Sequence, residues 1–107
     1  MKHNESFRCD NLLVGFIREH KGPNNAVSTV EIKKYLADRG YPISRDNIRQ
    51  RIHKLVFERS LPICSLSSKG YFWASCFADI AQTIQEFQSR INELQARIDV
   101  LKSFIVI

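Results

Sequence analysis

The sequence predicts a mainly α fold with one small β-hairpin and a long C-terminal helix, and three observations carry that prediction. Apolar residues recur at helical spacing in three short segments between residues 10 and 59. Two stretches rich in β-formers follow at 61–74, separated by a polar turn that contains a glycine. From residue 75 onward an unbroken three-four alternation of apolar residues runs to the end of the chain. With 107 residues, 44% hydrophobic and 25% charged, the chain has the length and composition of one domain with a small core plus an extension, which excludes a multidomain enzyme. The expected divisions are an N-terminal arm at 1–9, a globular domain at 10–74 and an oligomerisation helix at 75–107.

The first helix is expected over 10–20. Asp10 is its candidate N-cap, Leu12, Leu13, Phe16 and Ile17 share one face, and Gly22 and Pro23 end it. The second, over 28–39, opens on a capping box in which Ser28 and Glu31 each satisfy the other's free backbone N–H. Ile32, Tyr35 and Leu36 form its buried face, and Gly40 stands where a left-handed residue would stop it. Ser44 caps the third helix, in which Ile48, Ile52, Leu55 and Val56 point inward as far as about Arg59. Leu61–Leu66 and Tyr71–Ala74 then form the hairpin, with Lys69 at its tip and Gly70 supplying a positive φ. Tyr71, Phe72 and Trp73 read as packing residues rather than a stacking platform for single strands.

Function is argued from charge and from one helix face. Residues 1–74 carry a net charge of +6 and residues 75–107 a net charge of −1, so the pull on a polyanion is confined to the globular part. Two helices joined by a tight turn form a helix-turn-helix unit. With its apolar residues inward, the second of them turns Asp46, Asn47, Arg49, Gln50, His53 and Lys54 outward, with Arg45 in its first turn and Arg51 at the margin. That face suits duplex DNA: Arg can donate in pairs to guanine, Asn and Gln can bond adenine in both directions, and Lys neutralises phosphate. Together with Lys69 on the hairpin, these residues are the expected DNA contacts.

The order of helix, helix-turn-helix and hairpin looks like the winged-helix fold. More closely, Ser44-Arg45-Asp46-Asn47-Ile48, then Pro62-Ile63, then Lys69-Gly70-Tyr71 resemble the S-R-x-x-I, P-I and K-G-Y pattern of the DNA-binding domain of the biotin operon repressor group, over residues 10–74. The resemblance implies a sequence-specific binder of double-stranded DNA whose third helix enters the major groove. The chain carries no ligase domain, so biotin chemistry is not implied.

The tail reads as a heptad repeat, with Phe77, Ile84, Ile91, Ile98 and Ile105 at a and Ile80, Phe87, Leu94 and Leu101 at d, behind Ser75 as N-cap. Ile at a with Leu at d favours a parallel dimer. Arg97 at g would face Lys102 at e of a parallel partner, so flanking charge does not select the pairing, and antiparallel or higher assemblies stay open. Phe104–Ile107 is apolar on several faces. Cys9, Cys64 and Cys76 form no C-x-x-C pair and read as reduced thiols; His3, His20 and His53 are scattered, so neither a metal nor a cofactor is expected. None of the phosphate-loop, zinc-hydrolase or nucleophile-elbow motifs occurs, and a non-enzymatic protein is expected. With no apolar run long enough for a bilayer and no signal-like N-terminus, a cytoplasmic protein follows. The expected function is transcriptional regulation in a bacterium or phage through dimeric DNA binding. The competing reading is a winged-helix interaction module, or a phage replication or architectural module, that recruits a partner through its coiled coil.

Overall fold

Helix α1 (His3–Arg18), a 3-10 turn (Pro23–Asn25), helices α2 (Thr29–Ala37) and α3 (Arg45–Arg59), strands β1 (Ile63–Leu66) and β2 (Gly70–Trp73), and helix α4 (Phe77–Lys102) follow in that order. They belong to a computed structural model that describes residues 3–67 and 69–105. Mainly helical architecture with one antiparallel hairpin is therefore observed, and no helix among the described residues is long and apolar enough to cross a membrane. Val106 and Ile107, the end of the apolar C-terminus, lie outside the described residues.

Helix α1 starts earlier than its periodicity predicts. The segment expected as an arm at 1–9 is helical from His3, and Asp10 is an interior residue rather than an N-cap. Its carboxylate accepts from Arg51 of α3 at 2.8 Å, so a tertiary ion pair has claimed the side chain that local reasoning assigned to the cap. The buried face accordingly begins one turn earlier, at Cys9, and continues through Leu13 and Ile17.

The second and third helices form as their caps dictate. Both halves of the Ser28–Glu31 capping box are made, and Ser44 Oγ accepts from the Asn47 N–H at 3.1 Å. Gly40 adopts φ +89° in the connection between them, a conformation that side-chain-bearing residues rarely take. Ile32, Leu36, Ile48, Ile52 and Leu55 meet Cys9, Leu13 and Ile17 of α1 in the main core.

The hairpin pairs Ile63 with Trp73 and Cys64 with Phe72, and alternation sends its residues to two different cores. Ile63, Tyr71 and Trp73 lie on the three-helix core, while Cys64, Leu66 and Phe72 form a second cluster closed by Ala26, Ala74 and Ile80. Phe72 is fully buried, in agreement with a packing role.

This second cluster crosses the division expected between residues 74 and 75. The first turns of α4 lie along the hairpin, with Asp79 and Thr83 buried and Ile80 half-buried against it. The helix begins one residue later than expected, with Cys76 as N-cap and no side-chain cap of its own. Ser75 instead donates its N–H and hydroxyl to Asp79 at 2.8 and 2.6 Å. These donors hold the Asp79 carboxyl below its ordinary value.

The loop before α2 runs beside β2 as a third extended segment: Val27 N–H donates to the Tyr71 carbonyl and the Tyr71 N–H donates back, both at 2.8 Å. Gly70 permits this. Its φ is +102°, and a Cβ there would lie 2.3 Å from the Val27 carbonyl oxygen. Gly70→Ala is expected to cost about 2–3 kcal/mol by combining backbone strain with loss of the Val27–Tyr71 pair, measurable as a fall in the denaturant midpoint; an unchanged midpoint would show that the approach is not constraining.

Candidate nucleic-acid interface

Helix α3 presents the expected face, and the surrounding elements divide it into three parts. All eight expected contacts, Arg45, Asp46, Asn47, Arg49, Gln50, His53, Lys54 and Lys69, are exposed. Arg45, Arg49 and Lys69 converge on one cleft of about 490 Å³ between the start of α3, the start of α2 and the hairpin. Arg45 is aimed by α2, its Nε donating to Thr29 Oγ1 at 3.0 Å. Among the described residues no carboxylate lines this cleft, and Asp46 and Glu86 bond to Arg49 and Arg90 at its edge.

Asn47, Gln50 and Lys54 lie on the α1 side of the helix, around a smaller recess of about 210 Å³ shared with Ser6, Asp10 and Arg51. Asn47 Oδ1 accepts from Arg51 Nε at 2.6 Å, which leaves its NH₂ group to face outward. Arg51 also donates to Asp10, and both side chains are more than four-fifths covered, so this arginine is a structural cation. Asp46 pairs with Arg49 at 2.8 Å, and Lys54 approaches Glu58 at 3.8 Å. Exposed pairs of this kind are worth about 0–1 kcal/mol and yield readily to a phosphate.

His53 belongs to neither basic region. Its ring lies edge-on to Phe57 at 5.0 Å, and both border an apolar groove of about 520 Å³ with Val56 and Phe87. Phe57 is 73% exposed, an apolar anchor at the C-terminal end of the same helix.

The structure adds Thr29 and Arg90 to the residues the sequence pointed to. Arg90 of α4 lines the basic cleft opposite Arg45 and Arg49. It is carried there because Glu86, one turn earlier, accepts from the Ser67 N–H at 2.8 Å, the Ser67 hydroxyl at 2.7 Å and Arg90 at 2.7 Å. Its place as a heptad g residue followed by no attractive e partner was the only signal in the sequence. Among the described residues, no group of three or more His, Cys, Asp or Glu could hold a metal ion, and Cys9, Cys64 and Cys76 are unbridged. Comparison with known protein families, with curated proteins and with solved structures finds no match to this chain.

The Ser67 hydroxyl and N–H, then the Arg90 guanidinium, hold the Glu86 carboxyl below its ordinary value. A carboxylate whose folded pKa is depressed adds stability at neutral pH, and that contribution is lost as pH falls below about 4.3 and through the lowered value. Glu86→Ala is therefore expected to lower the melting temperature at pH 7, with the gap to wild type closing as pH falls to 3. A gap independent of pH would mean that Glu86 acts through packing alone.

Proposed function

We propose that the chain is a winged helix-turn-helix protein that binds double-stranded DNA sequence-specifically as a homodimer, as a small regulator of transcription. Helix α3 is the reading helix and the hairpin the wing. The observation that carries this reading is the cleft where Arg45, Arg49 and Lys69 converge beside an exposed helix face bearing Asn47 and Gln50. Lys69 and Arg45 are placed to neutralise phosphates, while Arg49, Asn47 and Gln50 offer the donor and acceptor sets that guanine and adenine edges require. Asp46 has a matching use: once Arg49 leaves it for DNA, its carboxylate can accept from cytosine N4.

The dimer is supported by α4. Ile84, Phe87, Ile91, Leu94, Ile98 and Leu101 on this helix, and Ile105, which was expected at a but lies past the helix's end at Lys102, are each 43–65% exposed. At about 100 Å² each they offer on the order of 700 Å² per chain, close to the ~800 Å² per partner of a stable interface. The seam starts at Ile84 because Ile80, expected at d, is spent on the chain's own hairpin, and Phe77 is 91% exposed at the very start of the helix.

The groove at Phe57 favours a second reading, in which this end of α3 docks a protein partner. DNA titration separates the two. Log affinity for random duplex is expected to fall with log salt by about 0.9 for each phosphate neutralised, hence at least about 2.7 per chain for Arg45, Arg49 and Lys69. A slope near zero would leave only the docking reading. Arg49→Ala and Gln50→Ala are expected to relax base preference by about 1–3 kcal/mol each, and Lys69→Ala to weaken all sequences alike. Equal losses on selected and random duplex for all three would displace the reading face from α3.

Sedimentation tests the assembly. The wild type is expected to be a dimer at tens of micromolar, and Ile91→Asp with Leu94→Asp a folded monomer that binds paired half-sites, one helical turn or ~34–36 Å apart, far more weakly. A wild-type monomer would refute the dimer.

A further inference from the structure

Helix α4 does more than close the second core, because of the direction in which it leaves the hairpin. It runs parallel to β1: Ile80 packs on Cys64, Leu66 and Phe72, and six residues later Glu86 is bonded to Ser67 beside the turn. Sixteen helical residues remain between Glu86 and Lys102, so the helix continues about 24 Å past the hairpin's turn at 1.5 Å per residue. The side of α4 that packs on the hairpin therefore continues beyond it with nothing to cover.

That side is basic. Thr83, Arg90 and Arg97 are seven residues apart and share one face. Thr83 is buried beneath the hairpin, and Arg90 stands at the turn and lines the basic cleft. Arg97 is exposed about 10.5 Å further along. Arg97 makes no ion pair or hydrogen bond among the described residues; Glu93, one turn before it, is the nearest acid on this side of the helix. The apolar stripe is centred about 70° around the helix from this face, at 100° per residue. Both arginines are g residues of the heptad, where Gln95 and Lys102 at e give them no attractive partner in a parallel dimer. Coil pairing thus supplies no reason for these charges; Arg90 is paired along its own helix with Glu86, while Arg97 is left for a polyanion lying across the hairpin's turn.

We propose that Arg90 and Arg97 are phosphate contacts, so that α4 forms a second wall of the DNA-binding surface and the duplex lies between it and α3. The inference rests on the DNA reading given above and adds residues from the oligomerisation helix to it.

The test is the salt dependence of binding to a random-sequence duplex for wild type, Arg90→Gln, Arg97→Gln and Arg97→Glu, with self-association of each followed by sedimentation. Each Gln variant is expected to reduce the slope by about 0.9 and to weaken binding several-fold at low salt. Arg97→Glu is expected to weaken binding further while self-association holds or tightens, since the new carboxylate would face Lys102 of a parallel partner. Those opposite signs distinguish a DNA contact from a coil residue. Wild-type binding with an unaltered slope in Arg97→Gln and Arg97→Glu would overturn this proposal and leave the DNA reading standing. Weaker binding that appears only with dissociation to monomers would overturn it as well. No binding by the wild type at low salt would remove the DNA reading and this proposal together.

Discussion

A two-stranded hairpin is not stable in water by itself, and covering both of its faces is the constraint on which the rest of the molecule depends. One face lies on α1–α3 through Ile63, Tyr71 and Trp73; the other needs α4, whose Ile80 closes the cluster around Cys64, Leu66 and Phe72. The free edge of β2 is taken up by Val27 and by Lys21, which bridges Trp73. Two carboxylates then pin the covering helix at both ends of the contact, Asp79 on Ser75 and Glu86 on Ser67. Because the same hairpin touches the three-helix core and the long helix, the face of α3 and the axis of α4 are held in one body.

The second organising fact is how the cations are distributed between structural and available roles, which net charge alone does not reveal. Arg51 is held by Asp10 and Asn47 across the α1–α3 contact, and Arg59 donates to Asn11 at 2.9 Å. Arg39 lies over the Tyr35 ring and Arg18 over Trp73, which places their guanidinium planes on aromatic faces. Arg45, Arg49, Lys69 and Arg90 are different: they face one cleft, and the carboxylates beside it, Asp46 and Glu86, bond to its arginines from outside the lining. A phosphate entering there would exchange the exposed Asp46–Arg49 pair for charge-assisted bonds of its own.

Most of the fold was legible because its signals are local. The Ser28–Glu31 box, the Ser44 cap, the positive φ of Gly40 and Gly70 and the inward faces of α2 and α3 each depend on residues within four positions of one another, where backbone geometry decides. Most of what was missed is held by partners far apart in sequence. Asp10 looked like a cap because Arg51, forty-one residues away, was not in view. Ser75 looked like a cap because it is a good one; yet Asp79, four residues on, uses it as a donor pair and the helix begins after Cys76. In the candidate site, the α3 residues and Lys69 could be read from periodicity and turn chemistry. Arg90 could not, since α4 reaches the cleft through the contact of Glu86 with Ser67, 19 residues away in sequence.

Helix α4 also shows how one helix can hold two surfaces without competition. Its c and g positions, Asp79, Glu86 and Thr83, lie against the hairpin, while the a and d stripe from Ile84 onward stands well round the helix and open to solvent. Of the stripe, Ile80, at the border of the two sets, is claimed by the hairpin, while Phe77 before it is again exposed. The heptad therefore reads as two superimposed patterns: an apolar repeat of three and four left open to solvent, and a seven-residue series from Thr83 through Arg90 to Arg97 that passes from buried hydroxyl to exposed cation as the helix leaves the domain. An isolated coiled coil has no use for such a gradient. A helix that begins as part of a core and continues beyond a basic cleft does, because its surroundings change from protein to solvent along a single face.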